Sequence, residues 1–177
     1  VEILASNGEI GQGLRTTFPK IVAHELNLPL EKVFYDHPDT SRVPDSGPTV
    51  ASRSLMTVGE LLRRAAIKLR TEWKDGEDQI VEEKFVEPDF MIPFYLDKFR
   101  GDAYPTYAWG AQAIEVEVDT YTGLAKILGA YASFDVGTPM DYNIVMGQME
   151  GGFLQGIGYA STEFMNYDNK GRIRNNS

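Results

Sequence analysis

The chain contains no cysteine. That excludes disulfides, thiolate zinc sites, cysteine-ligated iron–sulfur clusters and a cysteine nucleophile. Histidine is nearly as scarce: with only His24 and His37, a three-histidine metal site is out of reach. Basic residues are outnumbered, 17 Lys and Arg against 26 Asp and Glu, for a formal charge of -9. This balance argues against a nucleic-acid partner, whose phosphates need a basic face. A phosphate-bearing small ligand would have to be held by local devices against an unfavourable overall field. Long apolar runs are missing too, since none approaches the roughly 18 residues of a membrane span. No membrane partner is expected. The start, Val1-Glu2-Ile3-Leu4, has neither an initiator Met nor a signal-peptide pattern, and the end, Arg172 to Ser177, lacks a closing element. We therefore expect a piece of a larger, cytoplasmic protein.

What is present suits a globular fold: 177 residues, 42% hydrophobic and 24% charged, enough for one ordinary domain or two small ones. Three glycines fall within the six residues Gly8-Glu9-Ile10-Gly11-Gln12-Gly13. Glycine lets the backbone turn tightly and approach a ligand, and Gln12 carries both an amide donor and an acceptor. Helical spacing of Phe18, Ile21, Val22 and Leu26 follows, with Thr16 or Thr17 as a plausible N-cap and Pro19 in the first turn. Exposed N–H groups and a helix dipole would then face whatever the turn holds. A plain turn without a ligand is the competing reading. Short strands are expected at Val1 to Ser6 and Lys32 to Tyr35, then a long loop from Asp36 through Pro48.

A second cluster of small and hydroxylated residues, Gly47-Pro48-Thr49-Val50-Ala51-Ser52-Arg53-Ser54, leads into an amphipathic helix from Leu55 to Leu69. It reads either as an N-capping segment or as an anion cradle, with Ser52 or Ser54 donating hydroxyls and Arg53 adding charge. Residues Thr71 to Asp102 read as a solvated, acidic connection. Alternation over Ala113 to Asp119 predicts a half-buried strand, and Leu124 to Phe134 its hairpin partner. Glu115 and Glu117 share one face, which reads as an exposed acidic face rather than an acid–base pair. Asp141 to Met165 is the longest helical segment. Its five glycines cost about 1 kcal/mol each relative to alanine, and either close backbone packing or close ligand approach would explain them. Gln148 and Gln155 lie on one side of it at a seven-residue spacing.

These motifs, taken in order, resemble the molybdopterin-binding part of the xanthine dehydrogenase and aldehyde oxidase family of molybdenum hydroxylases. The resemblance rests on Gly8 to Gly13, on Asp39-Thr40 with Gly47 to Ser52, on Glu115 to Asp119 with Thr122-Gly123, and on Gly147 to Gly152 with Gln155 to Gly158. It implies a molybdenum–molybdopterin cofactor, with or without an attached nucleotide. Gln12, between Gly11 and Gly13, would stand in the second shell of the molybdenum. Thr49, Val50, Ala51, Ser52 and Ser54 would wrap the pterin and phosphate end, Gln112 and Ala113 would border the pterin, and Gln155 first, Gln148 second, would bond the ring system. The implied reaction is hydroxylation of a purine, another N-heterocycle or an aldehyde with water-derived oxygen. Electrons would leave through iron–sulfur and flavin (FAD) domains or subunits. The family's general-base glutamate, in a Gly-x-Gly-Glu segment, and its upstream Gly-Phe-Gly-Gly loop do not occur here. No catalytic residue is therefore assigned to this chain, and alone it is expected to be inactive. Rival readings are a phosphate or nucleotide-binding module, or a structural fragment whose glycines serve packing.

The predicted fold is α+β, with mixed or antiparallel sheets, helices packed on one face and two related halves. The expected segments are residues 1–75, an acidic connection at 76–103, and residues 104–177 with the hairpin and glycine-rich helix.

Overall fold

The computed structural model describes residues 1–175. Three helices and a two-stranded antiparallel sheet make an α+β protein: α1 (Leu14–Leu26), α2 (Gly59–Glu72), β1 (Trp109–Val118), β2 (Ala125–Asp135) and α3 (Tyr142–Ser161). Among the described residues no helix is long and apolar enough to cross a membrane. Contacts divide the chain into two units, Val1–Phe85 together with the residues from Met140 onward, and Val86–Pro139. Helix α3 thus groups with α1 and α2, whereas the segments expected from sequence put it with the hairpin. Asn176 and Ser177, the end of the last expected segment, lie outside the described residues.

The core belongs to the first unit. Leu14, Phe18, Val22 and Leu26 recur at helical spacing along the buried side of α1. They pack with Ile3, Ala5, Val33, Tyr35, Val58 and Ala66, and Leu55, Leu62 and Leu69 of the second helical stretch close over them. Phe18 is completely enclosed, its ring centroid 5.1 Å from that of Tyr35. Gly59 lets the helices approach, since a methyl group there would stand 3.1 Å from Ile21 Cδ1. The strands expected at 1–6 and 32–35 reduce to a single parallel bridge, Glu2 with Phe34. Ahead of α2, Ser54–Val58 forms a π-helical turn, so helical structure begins one residue before the expected Leu55.

Helix α1 starts three residues before the expected Thr17, and neither Thr16 nor Thr17 caps it. Its N-cap is Gly13 at φ 92°, a left-handed conformation that a Cβ would strain. Pro19 consequently lies inside the helix instead of in its first turn. The missing cap is supplied from a distance by Glu9. Its Oε1 accepts from the N–H groups of Gly11 at 2.8 Å and Gly13 at 3.0 Å, and its Oε2 from Arg15 at 2.9 Å. Thr17 turns its hydroxyl back onto the Gly13 carbonyl at 3.1 Å.

In the second unit β1 and β2 pair from Trp109–Asp135 to Val118–Ala125, with a register shift at Glu115/Val116. Asp119 organises the turn by accepting from Tyr121 and Thr122, and Gly123 supplies the positive φ of 74°. Every residue of β1 is exposed, which corrects the half-buried strand expected from its alternation. Period-two alternation shows which side of a strand requires cover, and nothing in this unit covers it.

Partial burial pushes the Glu9 carboxyl up, but donations from Arg15, Gly13, Gly11 and Leu14 outweigh that and hold it below the usual carboxylate range. A depressed carboxyl stabilises the fold fully above its unfolded pKa, and that contribution is lost as pH falls through the folded value. Acidification below the ordinary glutamate range should therefore deprotect the Gly11, Gly13 and Arg15 amides in hydrogen exchange, and Glu9→Gln should remove this pH dependence. Phe18→Ala should cost about 3–5 kcal/mol in denaturant unfolding of the intact protein. A loss under about 1 kcal/mol would mean that Phe18 is not the centre of the core.

Candidate functional site

The Gly8–Gly13 turn is closed on itself. Gln12 Oε1 accepts the Ile10 N–H at 2.7 Å, and Nε2 donates to the Gly8 carbonyl at 2.8 Å. Each half of the amide keeps one further bonding position, because Nε2 carries two hydrogens and Oε1 two lone pairs. Of the backbone donors expected to face a ligand here, those of Gly11, Gly13 and Arg15 are instead taken by Glu9. A carboxylate already neutralises the start of α1, so that helix terminus is not an open anion site.

The loop from Ser46 to Ser54 is built differently. Arg53 folds inward, its Nη1 donating to the carbonyls of Ser46 at 2.9 Å and Pro48 at 3.0 Å. Its charge therefore braces the loop, where the anion-cradle reading has it adding charge for the ligand. Ala51 and Ser52 have φ of 50° and 56°, a left-handed region that non-glycine residues enter at a cost of about 1–3 kcal/mol each. Among the described residues, the N–H groups of Thr49, Val50, Ala51 and Ser52 have no hydrogen-bond acceptor in the protein. Val50, Ala51 and Ser52 are exposed. Ser54 is not: it is 5% exposed, and its Oγ accepts from Asn7 Nδ2 at 3.2 Å.

Side chains zip the two loops together. Ser6 and Ser46 exchange bonds, each hydroxyl accepting the other's backbone N–H, at 3.0 and 2.8 Å. The Gly8 N–H donates to Thr49 Oγ1 at 3.0 Å. Asn7, completely buried, reaches Ser54 from the adjoining position. Ser6, Asn7, Glu9 and Ser46 escaped the sequence reading. The signal for Asn7 was an amide at the end of an apolar stretch, which also describes an ordinary turn residue.

The third segment meets the same turn. Asp141 caps α3, its Oδ1 accepting from Asn143 at 3.0 Å and Ile144 at 3.1 Å, as its position ahead of the helix predicts. Lys20 of α1 donates to the same carboxylate. That donation, with the N–H groups of Ile144 and Asn143, holds the Asp141 carboxyl below its usual range. A methyl group at Gly13 would come within 2.9 Å of Ile144 Cδ1, so the first turn of α3 lies against the Gly-Gln-Gly turn. At about 100° per residue, Gly147, Gly151, Gly152, Gly156 and Gly158 occupy one half of α3, with Gln148 and Gln155 among them. Met146, Met149, Phe153, Leu154 and Ile157 occupy the other. Methyl groups at Gly147, Gly151, Gly152 and Gly156 would meet nothing within 4 Å, so no packing among the described residues accounts for those four glycines. Gln148 and Gln155 are exposed. By helical rise, Gln148 stands about 6 Å and Gln155 about 17 Å along the axis from Ile144.

Gln112 and Ala113 lie in the second unit, opposite Ala132 and Tyr131 in the hairpin, and are exposed. Glu115 and Glu117 of the same strand are exposed as well. Of the residues singled out from sequence, the first unit brings Gly11, Gln12, Gly13, the Thr49–Ser54 stretch and the start of α3 to one junction.

The chain matches the molybdopterin cofactor-binding domain family over residues 1–90 and 76–177. Aldehyde oxidase 4 of Cavia porcellus is 29% identical over 192 residues, covering 97% of this chain and 14% of that protein. Xanthine dehydrogenase 1 of Arabidopsis thaliana is 30% identical over 183 residues, covering 91% of this chain and 13% of that protein. The chain thus spans a small part of the relatives it matches. Among solved structures, reconstituted CO dehydrogenase from Oligotropha carboxidovorans is similar at a TM-score of 0.70 and 26% identity, over 95% of this chain and 25% of that one. With the match running along the whole sequence and the fold shared, this protein belongs to the molybdopterin cofactor-binding domain of the xanthine dehydrogenase and aldehyde oxidase family.

Proposed function

We propose that this chain forms one wall of the molybdenum-cofactor site in a larger oxidoreductase that hydroxylates purines, other N-heterocycles or aldehydes. The observation that carries the reading is the junction of three glycine-bared segments at the Gly8–Gly13 turn. The donor set suits a flat, heteroatom-rich, anionic group. Unpaired N–H groups at Thr49, Val50, Ala51 and Ser52 would receive its charged oxygens, and the Ser52 hydroxyl would join them. Gln12 would use its remaining amide positions beside the metal. Gln148 and Gln155, on the glycine side of α3, would bond the ring system where no Cβ keeps it away. Gln112 and Ala113 of β1 would border the pterin. Ser54 would act from beneath, through its bond with Asn7.

Among the described residues, no cluster of acidic and histidine side chains is placed to hold a metal ion directly. The metal would accordingly arrive on its own organic ligand, in mono- or dinucleotide form. When bound, that group supplies the redox chemistry, oxidation of an electron-poor carbon with oxygen taken from water. The residues of this chain bind it, orient it and keep its polar atoms paired. The general base would come from another part of the enzyme, so this chain alone would be inactive.

The partners would be the remaining domains of the same enzyme, with iron–sulfur and flavin parts carrying electrons away, in the cytoplasm. Two surfaces support docking of that kind. On the apolar half of α3 Leu154 is 68% exposed, and Ile114, Val116 and Val118 of β1 are half uncovered.

Metal analysis and pterin fluorescence after denaturing the intact enzyme should show molybdenum and a pterin in equal amounts. Absence of both would overturn the proposal. In the full-length enzyme Gln12→Ala should lower kcat about 10–100-fold, the usual effect of removing a group that orients a metal centre. Unchanged turnover would remove Gln12 from the site.

A further inference from the structure

The Thr49–Ser54 stretch is an arch held at both feet by adjacent residues of another segment. The Gly8 N–H holds Thr49 through its hydroxyl at 3.0 Å, and Asn7 Nδ2 holds Ser54 Oγ at 3.2 Å. Between the feet stand Ala51 and Ser52 in left-handed conformation. Strained backbone of this kind relaxes unless its surroundings over-determine it. Asn7 is itself anchored. Its carbonyl accepts from the Tyr35 hydroxyl, and the Tyr35 ring rests on Phe18 at the centre of the core.

Asn7 also carries a cost. It is completely buried, and its Oδ1 has no hydrogen-bond partner among the described residues. A buried amide oxygen without a donor destabilises a fold, whereas an apolar side chain of the same shape would not. Stability alone therefore does not account for an asparagine here. The bond that Asn7 does make leads to Ser54, whose hydroxyl is buried and cannot itself face a ligand.

We infer that Asn7 is a positioning residue: by pinning Ser54 while Gly8 pins Thr49, it holds the strained arch in the form that leaves the N–H groups of Thr49 to Ser52 open. This rests on the proposal that the arch binds the anionic end of the cofactor. Asn7 touches neither cofactor nor substrate in this account and acts through the arch.

The test uses the full-length enzyme with Asn7→Leu, Ser54→Ala and the double variant. Molybdenum and pterin per protomer, the Tm of cofactor-free protein and the ratio of kcat to KM effects are read for each. Asn7→Leu should leave the cofactor-free Tm unchanged or raised and lower cofactor content at least fivefold. Ser54→Ala should produce the same loss, and the double variant no more than either, because all three break one link. The fraction still loaded should turn over with altered kcat and unchanged KM. Full loading of Asn7→Leu, additive losses in the double variant, or a fall in the Tm of Asn7→Leu parallel to its loss of cofactor would overturn the inference. If Asn7→Leu does not fold, Ser54→Ala decides by cofactor loading and by the kcat and KM of the loaded fraction, since removing the Ser54 hydroxyl leaves Asn7 Nδ2 buried without a partner and lowers Tm by itself. A wild-type enzyme without molybdenum or pterin would refute the cofactor reading itself, a result distinct from equal loading of wild type and variant.

Discussion

The enclosure of Phe18 against Tyr35 is the contact on which the rest of this chain depends. It joins α1 to the segment around Val33, and Tyr35 carries the link outward by donating to the main chain at Asn7. From there the order is polar. Ser6, Asn7 and Gly8 hold Ser46, Ser54 and Thr49 almost wholly through side-chain hydroxyls and one amide. A small apolar core thus fixes a polar junction, and the junction fixes two loops whose described backbones do not pair with each other directly. Each such bond is worth about 1 kcal/mol net. Its larger value is geometric, because each loop removes conformational freedom from the other.

Glu9 explains how the two loops divide their labour. Its carboxylate occupies the start of α1, so negative charge is already in place at the Gly-Gln-Gly turn. Among the described residues, an anionic group approaching the junction meets four consecutive open N–H groups on the Thr49–Ser52 side. The net charge of -9 sharpens this distinction, since the overall field does not attract anions and binding has to come from donors at close range.

The surfaces left open carry as much information as the core. Helix α3 has no buried residue, yet one half carries Met146, Met149, Phe153, Leu154 and Ile157, and the other its five glycines and two glutamines with Ile144, Val145 and Tyr159. A helix of that composition is normally covered on all sides. The hairpin shows the same property in strand form, with apolar residues half exposed along β1. Both belong to a chain that matches only 14% of the length of the guinea-pig aldehyde oxidase.

Much of this was legible in the residues themselves. Local spacing located α1 and α2 through Phe18, Ile21, Leu55 and Leu62, alternation located the hairpin, and Asp141 announced the start of α3. The order of the Gly-Gln-Gly, Pro-Thr-x-Ala-Ser and glycine–glutamine motifs carried the family. The junction was not legible. Glu9 reads as an ordinary loop acid until the turn folds it back onto Gly11 and Gly13. Ser54 reads as an available hydroxyl until Asn7, 47 residues away, encloses it. Arg53 reads as a free charge until its guanidinium closes on the carbonyls beneath the arch. Sequence by itself determined the three helices, the hairpin and the family, because helical and strand periodicity and motif order are local properties of the chain. Tertiary structure alone decided which donors remain open, because a polar group's partner is set by what folding brings beside it.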